Sequence, residues 1–454
     1  MIDYKTSRYR SREIAELEWD RLWTDTWILA GFSIELPEAN DFIVMDIGPE
    51  SIVIFRNEEM GVGAFYNVCP HRGSRLVSAP HGQLTDGFRC PMHGLQFDTA
   101  GRCRLPRSSA SGGPESGLSI PDLTSISVEE REGMVFINLA DKPGSLEKQL
   151  DDVLGQLRPF QFDKMRCDGA IRSVWPANWK AGIDAFSETY HAHAIHPQTM
   201  TTIDDYNVEF EVYPSGCSRM VVPMGVVSPR EELLAALPEA LATMLEQAGI
   251  DTSTYEGPQG DVREAVVERR RAEPDSLVAW SKLSDSQIVD NWNFFLFPNV
   301  TMNIYPLGSS VLRFRPSGSD PTKCIFELFL FSMPVPEDQS VSVPFLDHKN
   351  ENSDEKHFPV ADVEADDPAA GELLYQDAQL LFSLQRGVNS KSFRGPRLSR
   401  QEVRLEHFHK RVSELLGFSK GLTTSGARRT AAEDGPGLPR SSNNSTSLSQ
   451  KASQ

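Results

Sequence analysis

Two short runs constrain this chain more than anything else in it: Cys69-Pro70-His71-Arg72-Gly73 and Cys90-Pro91-Met92-His93-Gly94. Eighteen residues separate His71 from Cys90. Each run supplies one thiolate and one imidazole, so the pair reads as two loops closing on one metal centre. Cys-x-His keeps two ligands close in sequence while aiming them at different metals, which suits two irons a few ångströms apart. A [2Fe-2S] centre of the Rieske type takes two cysteines on one iron and two histidines on the other. Gly73 and Gly94 let each loop turn tightly, and Pro70 and Pro91 stiffen it. A zinc site is the rival, but it favours Cys-x2-4-Cys and His-x3-5-His spacing, which these runs lack. Cys69, His71, Cys90 and His93 are therefore the expected cluster ligands.

At 454 residues the chain has room for two or three domains. Its 39% hydrophobic and 24% charged residues are ordinary for a soluble globular protein. A formal net charge of −19 argues against nucleic acid as a partner and suits steering towards a basic protein surface. Of the six cysteines, Cys103, Cys167, Cys217 and Cys324 stand singly, with no framework spacing. They read as reduced thiols of a cytoplasmic protein. The opening residues do not resemble a signal peptide, and no apolar run reaches the ~18 residues of a membrane span.

The periodicity divides the chain. Residues 11–29 read as an amphipathic helix, with Ile14, Leu17, Leu22 and Trp23 near one face. From Asp41 the period becomes that of short strands, over 42–47, 51–55, 62–66 and 133–139. A larger unit follows, with strand-like runs at 208–213, 294–305, 310–315 and 324–331. Charged, helix-like stretches at 229–248 and 261–280 interrupt it, and 399–417 reads as a terminal helix. The expected fold is α+β. Residues 1–40 form a helical segment and 41–144 a small antiparallel β domain. Residues 145–420 form a catalytic domain whose antiparallel sheet is flanked by helices in a helix-grip-like arrangement. A Ser- and Asn-rich tail, 421–454, is expected to be disordered.

A second constellation runs from Asn178-Trp179-Lys180 through Asp184, Phe186, Glu188 and Tyr190 to His191, His193, His196 and Pro197. Three histidines within six residues, preceded by acids, suit a mononuclear iron held by two histidines and one carboxylate. Which two bind is open at this level. His193 and His196 share a helix face. His191 and His196 lie about 140° apart on an ideal helix and converge only if the helix ends between them.

The two motif sets together resemble the catalytic α subunit of Rieske non-haem iron oxygenases, the aromatic-ring-hydroxylating family, from the first helix to about Phe418. That resemblance implies His191 and His196 as iron ligands, in place of His193. It implies Asp377 as the third ligand, from the run Gln376-Asp377 to Gln385-Arg386-Gly387. It also implies a carboxylate three residues before His191, here Glu188 where Asp is more usual. This group would bridge His93 of one subunit and His191 of the next in a homotrimer, with or without a β subunit. Met92 and Leu95 stand where the family often has Tyr and Trp, and the lost hydroxyl implies a lower cluster potential.

The implied activity is that of a terminal oxygenase. Electrons from NAD(P)H arrive through a separate reductase, with or without a ferredoxin, at the [2Fe-2S] cluster. They pass to Fe(2+), where O2 is activated beside a small organic substrate. The expected substrate is an apolar aromatic or alicyclic compound. The alternative is a quaternary-ammonium or methylated compound, for which Phe294, Phe295, Phe297 and Tyr305 are candidate cage residues. No dinucleotide-binding glycine motif follows a strand, so the reductase is another protein. A bare Rieske electron carrier would need only ~100 residues. A regulator that had lost its iron would not keep the ligand set.

Overall fold

The computed structural model describes residues 3–104, 119–232, 236–255, 257, 259–334, 360–365, 367, 371–418 and 428–430. Helices α1 (Tyr4–Ser7) and α2 (Arg12–Glu18) open it, each capped by a side chain, Asp3 and Ser11. The helix expected to reach residue 29 stops earlier: one wider π turn covers Trp19–Trp23, and β1 (Ile28–Phe32) is extended. All five residues of β1 are buried, paired on one edge with the strand Met134–Asn138, so pairing and burial override the helical period.

The next strands fall where alternation put them: β2 (Asp41–Ile47), β3 (Glu50–Arg56) and β4 (Val62–Tyr66). With β5 (His81–Gln83) they form a sheet ordered β4-β3-β2-β5. Strands β6 (Phe88–Arg89), β7 (Gln96–Phe97) and β8 (Cys103–Arg104) make a second small sheet. Phe42, Phe55, Phe65, Phe88 and Phe97 pack in one core with Cys69 and Cys90. Each such ring contributes about 1.5–3 kcal/mol by leaving water. β9 (Ser127–Arg131) and β10 (Met134–Asn138) complete a three-stranded sheet with β1.

The second unit starts with α3 (Leu146–Leu157), then β11 (Arg166–Trp175), α4 (Trp179–Ala185) and α5 (Ala192–Ile195). β12 (Glu209–Val212) and β13 (Ser218–Val222) precede an insertion with α6 (Glu239–Gln247), α7 (Val262–Arg271) and α8 (Asp285–Val289). The run expected as one strand over 294–305 is a hairpin, β14 (Asn291–Leu296) and β15 (Val300–Tyr305), because Pro298 and Asn299 turn it. β16 (Gly308–Pro316), β17 (Cys324–Ser332) and β18 (Val360–Asp362) follow, then α9 (Glu372–Val388) and α10 (Val403–Leu415). The strands join in a nine-stranded sheet, β18-β11-β17-β16-β15-β14-β13-β12-β19, antiparallel except where β18 meets β11. Its last member, β19 (Arg428–Thr430), lies in the tail expected to be disordered, a correction at those three residues. The rest of that tail lies outside the described residues.

Buried charges tie the units together. Glu327 on β17 pairs with Arg313 at 2.7 Å and Arg315 at 2.8 Å, both on β16. Arg313 also donates to the carbonyls of Leu29 and Ala30 on β1, and Arg315 to that of Asp46 on β2. Gly182 lets α4 approach the sheet, since a Cβ there would lie 2.3 Å from the Phe314 ring. No helix among the described residues is long and apolar enough to cross a membrane.

Candidate metal centres

The first centre is built from two loops that close alike. The Cys69 N–H donates to the Ser74 carbonyl at 2.8 Å, and the Gly73 N–H returns to the Cys69 carbonyl at 2.9 Å. The Cys90 N–H donates to Leu95 at 2.8 Å, and the Gly94 N–H to Cys90 at 2.9 Å. Gly73 and Gly94 take φ of 79° and 70°, the left-handed turn that glycine adopts without strain. The two loops present their ligands to one spot. Cys69 and Cys90 are free and buried, and the His71 and His93 ring centroids lie 4.7 Å apart. His71 Nδ1 is buried with no hydrogen-bond partner, an orphan that a metal would satisfy. Burial pushes the Cys69 thiol up. At Cys90 the N–H groups of Met92 and His93, together with the Cys69 thiol, outweigh burial and bring it down. These donors fit a Rieske-type cluster. The second loop's tip faces outward: Pro91 and His93 are exposed and Met92 is 52% exposed.

The second centre depends on where one short helix stops. Asn178 caps α4, and the chain turns after Ala185 so that His191 opens α5. α5 lasts a single turn. His196 leaves it with φ −122° and ψ 54°, and Pro197 follows. This break closes the angle that an ideal helix would hold open: the His191 and His196 rings sit 5.3 Å apart, while His193 is exposed. Asp377, 4% exposed, comes from α9. Its Oδ1 lies 3.1 Å from His196 Nε2 and 3.6 Å from His191 Nε2. The ligand atoms of all three residues lie within 4.8 Å of one another. Two imidazoles and a carboxylate on one side leave the other side open, which fits a two-histidine-one-carboxylate iron.

Both outer ring nitrogens are held. Glu188 Oε1 lies 2.7 Å from His191 Nδ1, and Gln376 Oε1 lies 2.6 Å from His196 Nδ1. Carboxylate and amide oxygens accept, so each ring carries its proton on Nδ1 and offers the Nε2 lone pair inward. Burial would lower the His191 pKa, but the hydrogen bond and charge of Glu188, with the charge of Asp377, raise it to about 9. The same negative surroundings that favour a second proton on Nε2 would favour a metal cation there in its place. The pocket is thus arranged for a cation.

A cavity of about 140 Å³ opens beside these ligands. Phe186, Ile203, Met220, Val222, Leu312 and Leu328 give it apolar walls. Asn291, Asn293, Asn303 and Ser310 form a polar strip on the sheet side. Phe294, Phe295 and Phe297 do not line it; they are 0–2% exposed in the main core, which corrects their candidacy as cage residues. Tyr305 lines a larger neighbouring cavity of about 760 Å³, between the insertion helices and the sheet. The two cavities share Thr199 and Leu373. Sequence reading gave no role to Gln376 beyond its place before Asp377, and none to the asparagines. Side chains at i and i+2 of a strand share a face, and that spacing was the available signal for Asn291 and Asn293.

Residues 162–417 match the model of the ring hydroxylating alpha subunit (catalytic domain), and residues 26–119 match the Rieske [2Fe-2S] domain. The glycine betaine monooxygenase oxygenase subunit of Chromohalobacter salexigens is 28% identical over 199 residues, 44% of this chain and 44% of that one. The carnitine monooxygenase oxygenase subunit of Acinetobacter pittii is 32% identical over 194 residues, 42% of this chain and 51% of that one. The matched stretch therefore spans about half the length of these curated relatives. The crystal structure of naphthalene 1,2-dioxygenase from Rhodococcus sp. bound to indole shares the fold, with a TM-score of 0.62 at 18% identity, over 92% of this chain and 95% of that one. With its catalytic-domain model covering more than half of the residues and a Rieske domain ahead of it, the chain belongs to the ring-hydroxylating α-subunit family.

Proposed function

We propose that this chain is the terminal oxygenase component of an electron-transfer system. Cys69, His71, Cys90 and His93 hold a [2Fe-2S] cluster, and His191, His196 and Asp377 hold one Fe(2+). The observation that carries this reading is the convergence of the three ligand atoms within 4.8 Å at the wall of a cavity. When bound, the cluster supplies single electrons, and the iron supplies open positions at which O2 and substrate meet.

The chain's own residues prepare that chemistry. Glu188 and Gln376 orient the two imidazoles from behind, so little reorganisation remains when the metal binds. The apolar walls limit water beside the ligands. NAD(P)H is the electron source, and a separate reductase, with or without a ferredoxin, delivers the electrons. The exposed tip at Met92 and His93 supports docking there. Exposed Tyr190 and His193, beside Glu188, support a second contact, with a neighbouring subunit in a homotrimer. All six cysteines are free, in keeping with a reducing cytoplasm.

The product is a hydroxylated or cis-dihydroxylated small organic molecule whose apolar part rests on Phe186, Leu312 and Leu328. A second reading, oxygenation of a methylated ammonium compound, draws on the two relatives named for glycine betaine and carnitine. Phe186 is the single Phe, Tyr or Trp lining the smaller cavity, which gives this reading less support than a full aromatic cage would.

The test is metal and sulfide analysis with variants. The purified protein should hold three irons and two acid-labile sulfides per chain, the stoichiometry of one cluster plus one iron. His191→Ala, His196→Ala and Asp377→Ala should each lose one iron and turnover while keeping the reduced-cluster resonance signal. His193→Ala should keep all three. Zinc in place of sulfide and iron, or loss of iron from His193→Ala alone, overturns the assignment.

A further inference from the structure

The polar strip in the smaller cavity has a direction, and a buried cation sets it. Arg404 on α10 is 1% exposed, and no carboxylate among the described residues pairs with it. Its Nη1 donates to Asn293 Oδ1 at 2.8 Å and its Nε to Ser218 Oγ at 2.9 Å, while Nη2 is buried without a partner. A guanidinium can only donate. Asn293 must therefore turn its oxygen to Arg404 and its amide nitrogen away. That nitrogen donates to Asn303 Oδ1 at 2.8 Å, and Asn303 in turn donates to Ser310 Oγ at 3.1 Å. The three residues are cross-strand neighbours on β14, β15 and β16, so the sheet register holds the row in place.

The row ends on the Ser310 hydroxyl, which accepts from Asn303 and finds no acceptor among the described residues for its own hydrogen. Asn293, Asn303 and Ser310 all line the cavity that holds His191, His196 and Asp377. A buried, unpaired positive charge is costly unless something offsets it. Here its field runs along a line of aligned amide dipoles towards the cavity.

Resting on the oxygenase reading above, we propose that this row is the substrate's anchoring site. It takes a hydrogen-bond-accepting oxygen, carboxylate or carbonyl, carried by an otherwise apolar molecule. The anchored oxygen fixes which carbon faces the metal ligands. Arg404 is a positioning residue in this scheme: it orients Asn293 and touches no substrate.

Binding to the holoprotein, measured by calorimetry with toluene, benzoate and benzamide, tests this. Toluene carries a methyl where the others carry their oxygens. Benzoate or benzamide should bind at least about 10-fold more tightly than toluene, the scale of one hydrogen bond to a charged or polarised group. Ser310→Ala and Asn303→Leu should each bring benzoate and benzamide down to the affinity of toluene, so that the preference for the oxygen compounds is lost. If neither oxygen compound binds more tightly than toluene, absence of binding included, the inference fails. It fails equally if the variants weaken all three ligands alike, which marks a structural role. Iron content and the cluster signal are read on the same preparations. A protein with both metals and no oxygen preference defeats this inference alone, whereas one without iron at the triad defeats the reading beneath it.

Discussion

Gln376 and Asp377 are neighbours in sequence, yet they face opposite nitrogens of one imidazole. Gln376 Oε1 lies 2.6 Å from His196 Nδ1, and Asp377 Oδ1 lies 3.1 Å from His196 Nε2. Both come from the first turns of α9, so one helix sets both the ring's tilt and the site's carboxylate.

That clamp gives the first prediction. Gln376→Leu removes the acceptor behind His196 and leaves the ligand set intact. Loss of such an outer partner costs roughly 10- to 100-fold in metal affinity. Iron retained after dialysis against a chelator should fall accordingly, with the cluster unchanged. Gln376→Glu keeps an acceptor and should hold iron as well as the parent. Equal retention in the Leu variant would make the contact incidental.

The second prediction concerns the motif Asn178-Trp179-Lys180, which serves the fold rather than the metal. Lys180 is fully buried, and its Nζ meets Glu18 Oε1 at 2.5 Å; Trp179 Nε1 donates to Glu18 Oε2 at 3.0 Å. α2 is thereby locked onto α4. Glu18→Ala strands a buried ammonium and should cost about 3–5 kcal/mol in urea unfolding. Glu18→Ala combined with Lys180→Met removes both charges and should recover most of that loss. A double variant no more stable than the single one would show that the charge is not the cause.

The proposed cluster ligands were legible because Cys-x-His acts over three residues, a span in which spacing nearly is geometry. The proposed iron ligands were not legible on the same grounds. An ideal helix favours His193, and only the end of α5 at Ile195 brings His196 round to His191. The family resemblance supplied that pair and Asp377, which arrives from a helix 181 positions beyond His196. The strand Ile28–Phe32 was hidden because Leu22, Trp23 and Trp27 continue an apolar pattern and no breaker intervenes before Gly31. The asparagine row was hidden for another reason. Isolated asparagines in strands carry no mark, and their alignment depends on the register of three strands and a guanidinium from α10.

The third prediction is a pH dependence away from the metals. Burial, with the nearby charge of Arg8, lowers the His409 pKa to about 4 against the opposing pull of Asp184. Tyr4, Tyr9, Asp184 and Lys180 also face it. The unfolded chain binds this proton near the ordinary pH 6.5 and the folded chain near 4, so between them the unfolded state holds more protons. Stability is therefore full above pH 6.5 and declines as pH falls towards 4, by up to about 3 kcal/mol. His409→Gln should be less stable than the parent at pH 7.5, with a shallower decline towards pH 5 in urea titrations. An unchanged slope would place the acid sensitivity elsewhere.

The last prediction concerns Glu188, one methylene longer in reach than the usual aspartate. Its Oε1 meets His191 Nδ1 at 2.7 Å and its Oε2 accepts the His191 N–H at 3.1 Å, so both oxygens hold the ligand from behind. Carboxylate oxygens have further lone pairs. In the proposed homotrimer, one of these would receive His93 of a neighbouring subunit and join the two centres. Glu188→Gln keeps the length but offers a single accepting oxygen, so it can hold His191 or complete the bridge only in part. It should retain both metals and a reducible cluster, yet slow electron transfer to the iron by about 100-fold, the upper range for loss of an outer partner. Glu188→Asp separates charge from reach. With the backbone placed for Glu, the shorter side chain cannot keep both contacts to His191, and transfer should be impaired less than in Glu188→Gln because the charge remains. The measurement is single-turnover oxidation of the prereduced cluster with substrate and O2. Parent-like rates for Glu188→Gln, with both metals confirmed, would leave Glu188 a local support for His191 and remove the bridge.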